Sequence, residues 1–453
     1  MLNTHALLHE MMERIPAYSK FIAESAQQEA FNPSDFEQLP LLTKQNYLLN
    51  YPMRELCRAE DLNSFHLIGA SSGFSKTGAV YWPKRPQDEA GYMQAIETQL
   101  RDNYGTDKRR TLVIVSLAFG MWIGGMQIAA AVRNIALSGK YPLMLATPGL
   151  DLKAAVNVIK SYQDLFDQLL IITNPSNISL FTALLNQADV HLAPGTVSFP
   201  VVGEYFSEAF REHISSTYGH ATDSPFVLWT GYGSADTGDV SAETKETIAL
   251  RKYLHHHPQL AEKLFETCTV PMILAVSPQV YLEIIDGNII VTKDQFIPLI
   301  RYNTGDEGGL LTKESLRGEV PDELLNNLPE QMMFVHGRAK SAIIFYGTNL
   351  MVNAISDHLL SLPSNYGYGG LFTVKEVEVE GIATFHFTIY TAVHPDMDAA
   401  GYRQSLIDFF CTQSAEFNFK YQNLSKSVSV PLISVSLADI TSLDSQVKHR
   451  YIL

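Results

Sequence analysis

With 453 residues and 46% hydrophobic content, the chain can bury a large core and should divide into at least two domains. Its 33 basic against 48 acidic residues give a formal charge of −15, which excludes the broad cationic face that duplex nucleic acid or an anionic membrane would need. A small ligand held by local lysines and arginines remains open.

The N-terminal stretch MLNTHALLHEMMERIPAY carries acids and histidines where a signal peptide would place a basic start and an apolar run. The cysteines, Cys57, Cys268 and Cys411, are too widely separated to read as a CxxC metal site or a disulfide framework. A cytoplasmic location is therefore expected.

In chain order, the first notable segment is GASSGFSKTG at 69–78. It fails as a Walker loop, because Ser75 precedes Lys76-Thr77 where glycine is required, and the segment runs into β-branched and aromatic residues rather than a helix. The expectation is a Ser/Gly loop joining two strands. Leu112 to Val132 is uncharged and long enough to span a bilayer, but Gly120, Gly124 and Gly125 interrupt it. It reads as a buried strand (LVIVSLA), a glycine turn and a helix (MQIAAAVRNIAL). QLLIIT (168–173), VSFPVVG (197–203) and FVLWTGYG (226–233) are further apolar runs separated by helical patterns, which predicts an α/β fold with doubly wound sheets.

YLEIID, NIIVTK and FIPLIRYNTGD around the Asp286-Gly287 turn predict a small antiparallel β unit. Beyond Gly337 the sequence predicts a small α+β domain: helices over NLMVNAISDHLLSL and AAGYRQSLIDFFCTQ, a hairpin over FTVKEVEVE and TFHFTIYTA, and a strand in SVSVPLISVSL. The expected boundaries are 1–337 for a large N-terminal domain and 338–453 for a small C-terminal one, which the resemblance described below implies to be mobile. His255, His256 and His257 form a triplet before Pro258. Adjacent residues on a helix or strand cannot all face one metal, so they are assigned no role.

Four separated stretches, SSGFSKTG, YGSADTG (232–238), RYNTGDEG (301–308) and GRAKSAIIFYGTN (337–349), occur in the order of the core motifs of adenylate-forming enzymes. Across nearly its whole length the chain resembles that superfamily, and within it the phenylacetate–CoA ligase branch. FGMWIGG, VVGEYF and the terminal KHRYIL are similar to further elements of the branch. The resemblance implies that a carboxylic acid attacks the α-phosphorus of ATP, giving an acyl-adenylate and pyrophosphate, and that a thiol, first of all coenzyme A, then displaces AMP.

The residue roles follow from that resemblance. Ser71, Ser72, Gly73, Ser75, Lys76 and Thr77 would form a flap over the β- and γ-phosphates, although Phe74 replaces a hydroxyl and Lys76 comes one position early. Gly203 and Glu204 would lie at the adenine edge, Tyr232 near adenine, and Gly233 and Ser234 beside the acyl and phosphate crossing. Asp236 stands where relatives carry the glutamate that holds Mg2+. Asp306 would accept the ribose hydroxyls, and Arg338 would contact ribose and phosphate. Lys340 would be the hinge for domain rotation, and Lys448 would bridge the acid and the α-phosphate, with Val447 in place of the preceding glycine. Phe119, Met121 and Trp122 resemble the wall that receives an aromatic or planar acid. The motifs serve the first half-reaction, so an enzyme that loads a carrier protein or forms an amide shares them. The altered flap, Asp236 and Val447 keep open a nucleotide-binding protein with impaired catalysis.

Overall fold

The computed structural model describes residues 2–70, 80–221, 224–266, 269–337, 342–345, 348–379, 382–392, 395–426, 430–446 and 448–453. Two compact units emerge, each assembled from several stretches: Met1–Gly149, Trp229–Tyr253 and Pro271–Arg338 make the first, and Leu150–Leu228, Leu254–Val270 and Ala339–Leu453 the second. The α/β class is as expected. No described helix is long and apolar enough to cross a membrane.

The first unit contains the strand–turn–helix read from the uncharged stretch. Thr111–Val115 is a fully buried strand, helix Ile123–Leu137 follows, and Leu143–Ala146 returns parallel to the first strand. The turn is less extensive than the glycines implied, because Gly124 and Gly125 already belong to the helix. Gly125 is needed for contact: a Cβ there would overlap the Ala118 carbonyl oxygen. The segment before the helix also pairs with the strand leading into the Ser/Gly loop, the Ala70 N–H donating to the Met121 carbonyl at 2.8 Å. As predicted, the strands flanking that loop, Leu67–Ala70 and Tyr81–Lys84, pair antiparallel. Residues 71–79 lie outside the described residues.

The antiparallel part of this unit is larger than expected. Val280–Ile285, Asn288–Lys293, Leu299–Thr312, Gln331–Gly337, Met272–Val276, Gly238–Ala242 and Leu228–Ser234 pair successively, each antiparallel to the next. The addition lies after Leu228–Ser234, the strand that the apolar run FVLWT predicted. The strand forms as expected, and past its end the chain turns back to pair Gly238–Ala242 with it as an antiparallel hairpin. Two glycines allow this. Gly238 sits at φ +62°, and Gly233 faces its partner strand so closely that a Cβ would overlap the Gly238 carbonyl. Behind the sheet, the N-terminal helices Thr4–Arg14 and Pro16–Gln28 bury Met11, Ile15, Tyr18 and Phe21 in one apolar cluster with Phe296, Ile300 and Tyr302.

In the second unit, Gln168–Ile172 and Val197–Val201 are parallel neighbours, with helix Pro175–Gln187 between them in the chain. The C-terminal stretch builds a three-stranded sheet. Tyr368–Val379 and Ile382–Thr391 form the expected hairpin, and Ile433–Asp439 joins it in parallel. Helices Val352–Ser361, Ala399–Gln413 and Ala415–Leu424 cover it, the last of them not anticipated from sequence. The core contains Phe345, Phe372, Phe387, Phe410 and Phe417. The last residues are not a loose tail: Tyr451 accepts from the Val374 N–H at 2.7 Å, and the Leu453 N–H returns to Val374 at 2.9 Å.

Gly125→Ala tests the close approach of helix and turn. The overlap with a backbone oxygen should cost roughly 1–3 kcal/mol, the range of overpacked cores, read as a lowered urea midpoint with an unchanged slope.

Candidate active site

The predicted residues of the first unit converge on the hairpin Leu228–Ser234/Gly238–Ala242 and the long strand Leu299–Thr312. Two motifs are tied crosswise there. The Tyr232 hydroxyl donates to Asp306 Oδ2 at 2.9 Å, and the Tyr302 hydroxyl donates to Asp236 Oδ2 at 2.8 Å. Each tyrosine of one motif therefore holds the carboxylate of the other. Tyr302 is 2% exposed, its ring packed in the cluster beneath the N-terminal helices. Burial and the adjacent Asp236 charge push its phenol well above the ordinary tyrosine range, so it is a permanent donor.

This arrangement leaves one oxygen of Asp236 in reserve. Oδ1 is buried and has no hydrogen-bond partner among the described residues, a costly state for a carboxylate unless a cation or donor arrives. The hairpin turn holds the backbone in place: Ser234 Oγ accepts from the N–H groups of Asp236 and Thr237, both at 3.2 Å, and Gln295 Nε2 donates to the Asp236 carbonyl at 2.7 Å. Ser234 thus acts first as a turn cap. Asp306 is oriented by Thr304, whose Oγ1 accepts the Asp306 N–H at 3.2 Å and donates to the Ile289 carbonyl at 3.0 Å, while Gly305 takes φ +74°.

Phe119, Met121 and Trp122 occupy the turn between Thr111–Val115 and helix Ile123–Leu137. Phe119 lies over Gly149, where a Cβ would come within 3.2 Å of its ring, and Met121 is 47% exposed. Trp122 bridges to Ala70, the last described residue before the Ser/Gly loop. The turn is thereby joined by backbone pairing to the start of the expected phosphate flap.

The second unit gathers Gly203, Glu204 and Lys448. Glu204 accepts from the Ser176 N–H and hydroxyl, each at 3.0 Å, and from the His449 N–H at 2.7 Å. It caps helix Pro175–Gln187 from outside the helix and ties the C-terminal residues to that end. Asn177 adds a second tie, its side-chain amide exchanging hydrogen bonds with the Gln446 backbone at 3.0 and 3.3 Å. Burial pushes the Glu204 carboxyl up, opposed by these donors and by the Lys448 charge. Gly203 has φ +85°, and a Cβ there would stand 3.8 Å from Lys448 Cε. Residues of two motifs far apart in the chain, VVGEYF and KHRYIL, are thus neighbours.

Ser71, Ser72, Gly73, Ser75, Lys76, Thr77, Arg338 and Lys340 lie outside the described residues. Sequence reasoning missed Tyr302 and Gln295 as supports of Asp236. Tyr302 was visible as the tyrosine preceding Asn-Thr-Gly-Asp, but its partner could be named only once the two motifs were side by side.

No protein-family model and no curated protein matches the chain. Solved structures do match. 2-Hydroxyisobutyryl-CoA ligase in the postadenylation state, in complex with R3-HIB-AMP, aligns with TM-score 0.62 at 14% identity over 99% of this chain and 89% of that one. The same ligase in complex with 2-HIB-AMP gives 0.61 at 14% identity, over 99% and 89%. Its open conformation with 2-HIB-AMP and CoA gives 0.56 at 14% identity, over 91% and 87%.

The chain shares the fold of that ligase. Fold alone does not assign chemistry.

Glu204→Ala removes an acceptor shared by two backbone N–H groups and a hydroxyl. Charge-assisted bonds are worth about 1.5–3 kcal/mol each before relaxation, so unit stability should fall. Amide exchange should quicken at His449 and Ser176 together, whereas quickening at Ser176 alone would show that the tail is held elsewhere.

Proposed function

We propose that the protein uses ATP to convert a carboxylic acid, first an aromatic or planar one, to an acyl-adenylate and then transfers the acyl group to a thiol, with coenzyme A as first candidate. The phenylacetate–CoA ligase-like branch is the proposed place within the superfamily. The observation that carries this reading is the crossed pairing of Tyr232 with Asp306 and Tyr302 with Asp236, which fixes two carboxylates of the expected nucleotide motifs while leaving Asp236 Oδ1 buried without a partner among the described residues.

In the proposed reaction, a substrate carboxylate oxygen attacks the α-phosphorus and the bond to the pyrophosphate oxygen breaks. Asp306, held by Tyr232 through Oδ2, accepts the ribose hydroxyls and positions the nucleotide. The orphaned Asp236 oxygen suits Mg2+, which when bound would neutralise charge on the phosphates. Lys448 offsets the repulsion between the incoming carboxylate and the α-phosphate. Glu204 and Asn177 order the segment that carries Lys448. Phe119, Met121 and Trp122 form the acyl wall. The thiol then attacks the acyl carbonyl carbon and AMP leaves with the mixed-anhydride oxygen, a step in which rotation of residues 338–453 about Lys340 withdraws Lys448. An acceptor on a carrier protein or an amine would use the same first step.

Three measurements test this reading. Pyrophosphate release should appear on mixing with ATP, Mg2+ and a panel of carboxylic acids, and Asp306→Ala should abolish it; activity and ATP affinity within about twofold of the parent, less than one charged hydrogen bond contributes, would reject the ribose role. Lys448→Ala should slow adenylation by orders of magnitude and leave transfer from a supplied acyl-adenylate nearly unchanged, whereas equal losses in both steps would point to a folding defect. Phe119→Ala and Trp122→Ala should reorder the accepted acids with ATP binding preserved; an unchanged ranking with lowered stability would return both residues to the core.

A further inference from the structure

Outside the nucleotide site, the histidine triplet behaves differently from what its sequence implied. Helix Lys245–His255 ends at its first histidine, His256 lies in the following turn, and His257 precedes helix Pro258–Phe265. Because the helix stops between them, the 100° separation of helical neighbours no longer applies to His255 and His256. Their rings lie on one side, 5.3 Å apart between centroids and inclined by 49°. Facing them is Glu212 on helix Glu208–Thr217, with its Oε1 3.6 Å from His256 Nε2. One ligand atom from each of the three residues lies within 4.8 Å of the others. All three belong to the second unit.

We propose that Glu212, His255 and His256 form a binding site for a divalent transition metal, with Zn2+ the best match and Ni2+ or Co2+ as substitutes. Two imidazoles and one carboxylate are a borderline donor set that prefers these ions to Mg2+ or Ca2+, which seek oxygen ligands. The spacing fits a shared ion, since donor atoms at about 2.0–2.2 Å from a tetrahedral Zn2+ stand roughly 3.3–3.6 Å from one another and small rotations of exposed side chains close the remaining gap. Helix packing does not demand the arrangement, for Glu212 and His256 are exposed and His255 only half-buried. An ion here would join helix Glu208–Thr217 to the junction of the two later helices, and water would complete its coordination. The ion would thus act as a cross-link between two surface elements, independent of the adenylating chemistry.

The test uses the full chain stripped with EDTA and titrated with Zn2+ by calorimetry, and with Co2+ by visible absorption. One ion per chain should bind, and the Co2+ complex should show the intense visible bands of a low-symmetry nitrogen–oxygen site. His256→Ala and Glu212→Gln should each weaken binding by about 10- to 100-fold or more, since metal sites lose that much even for supporting groups. His191→Ala removes another exposed imidazole of the same unit and should leave the titration unchanged. Saturating Zn2+ should also raise the melting temperature of the parent and not of His256→Ala. Equal Zn2+ binding in parent and His256→Ala, or equal losses in all three variants, would overturn the site, as would a parent whose affinity falls no tighter than that of free surface histidines. The variants alter exposed side chains, and unchanged circular dichroism would confirm that they fold.

Discussion

The arrangement of the hairpin Leu228–Ser234/Gly238–Ala242 against the strand Leu299–Thr312 depends on two hydrogen bonds made crosswise. Tyr232 to Asp306 and Tyr302 to Asp236 join motifs about seventy residues apart in the chain, at 2.9 and 2.8 Å. Each pair has a neutral donor and a charged acceptor, the combination that retains strength away from water without the desolvation cost of a second ion. Reciprocity matters more than either bond: if one motif shifted, both carboxylates would lose their orientation. The cluster around Tyr302 explains why the N-terminal helices belong to the same unit, since they bury the ring whose hydroxyl steers Asp236.

A comparable economy holds the second unit together at its helix terminus. Glu204 serves the first-turn N–H of Pro175–Gln187 and the His449 N–H with one carboxylate, so capping a helix and ordering the C-terminal residues are a single event. This also explains how an exposed lysine near the end of a chain is held in place. Lys448 is positioned through its neighbours, by Glu204 at His449, by Asn177 at Gln446 and by the strand-like pairing of Tyr451 and Leu453 with Val374.

The histidine triplet and the hairpin illustrate the same physical point from opposite directions. The triplet was read as one continuing helix or strand, and FVLWTGYG as a strand, which it is. In both, a break in regularity just past the element decided what its residues meet. The helix ends at His255, which lets two imidazoles share a side, and Gly238 at φ +62° reverses the strand into a hairpin.

Local pattern in the sequence was enough to determine the α/β class, the strand and helix around Gly120–Gly125, the C-terminal hairpin and the two strands flanking the Ser/Gly loop, because side-chain periodicity and turn residues act over a few positions. It also marked Asp236, Asp306, Glu204 and Lys448 as chemically charged points in a recognisable order. Which of these touch was decided only by tertiary structure. The partners of Asp236 are Tyr302 and Gln295, and the partners of Glu204 are Ser176 and His449; each bond closes a long loop and is fixed by packing of the whole sheet or helix layer. Hydrogen-bond partners across such distances leave no trace in hydrophobic period or local spacing, since the free energy that selects them comes from burial spread over many residues rather than from the residues that meet.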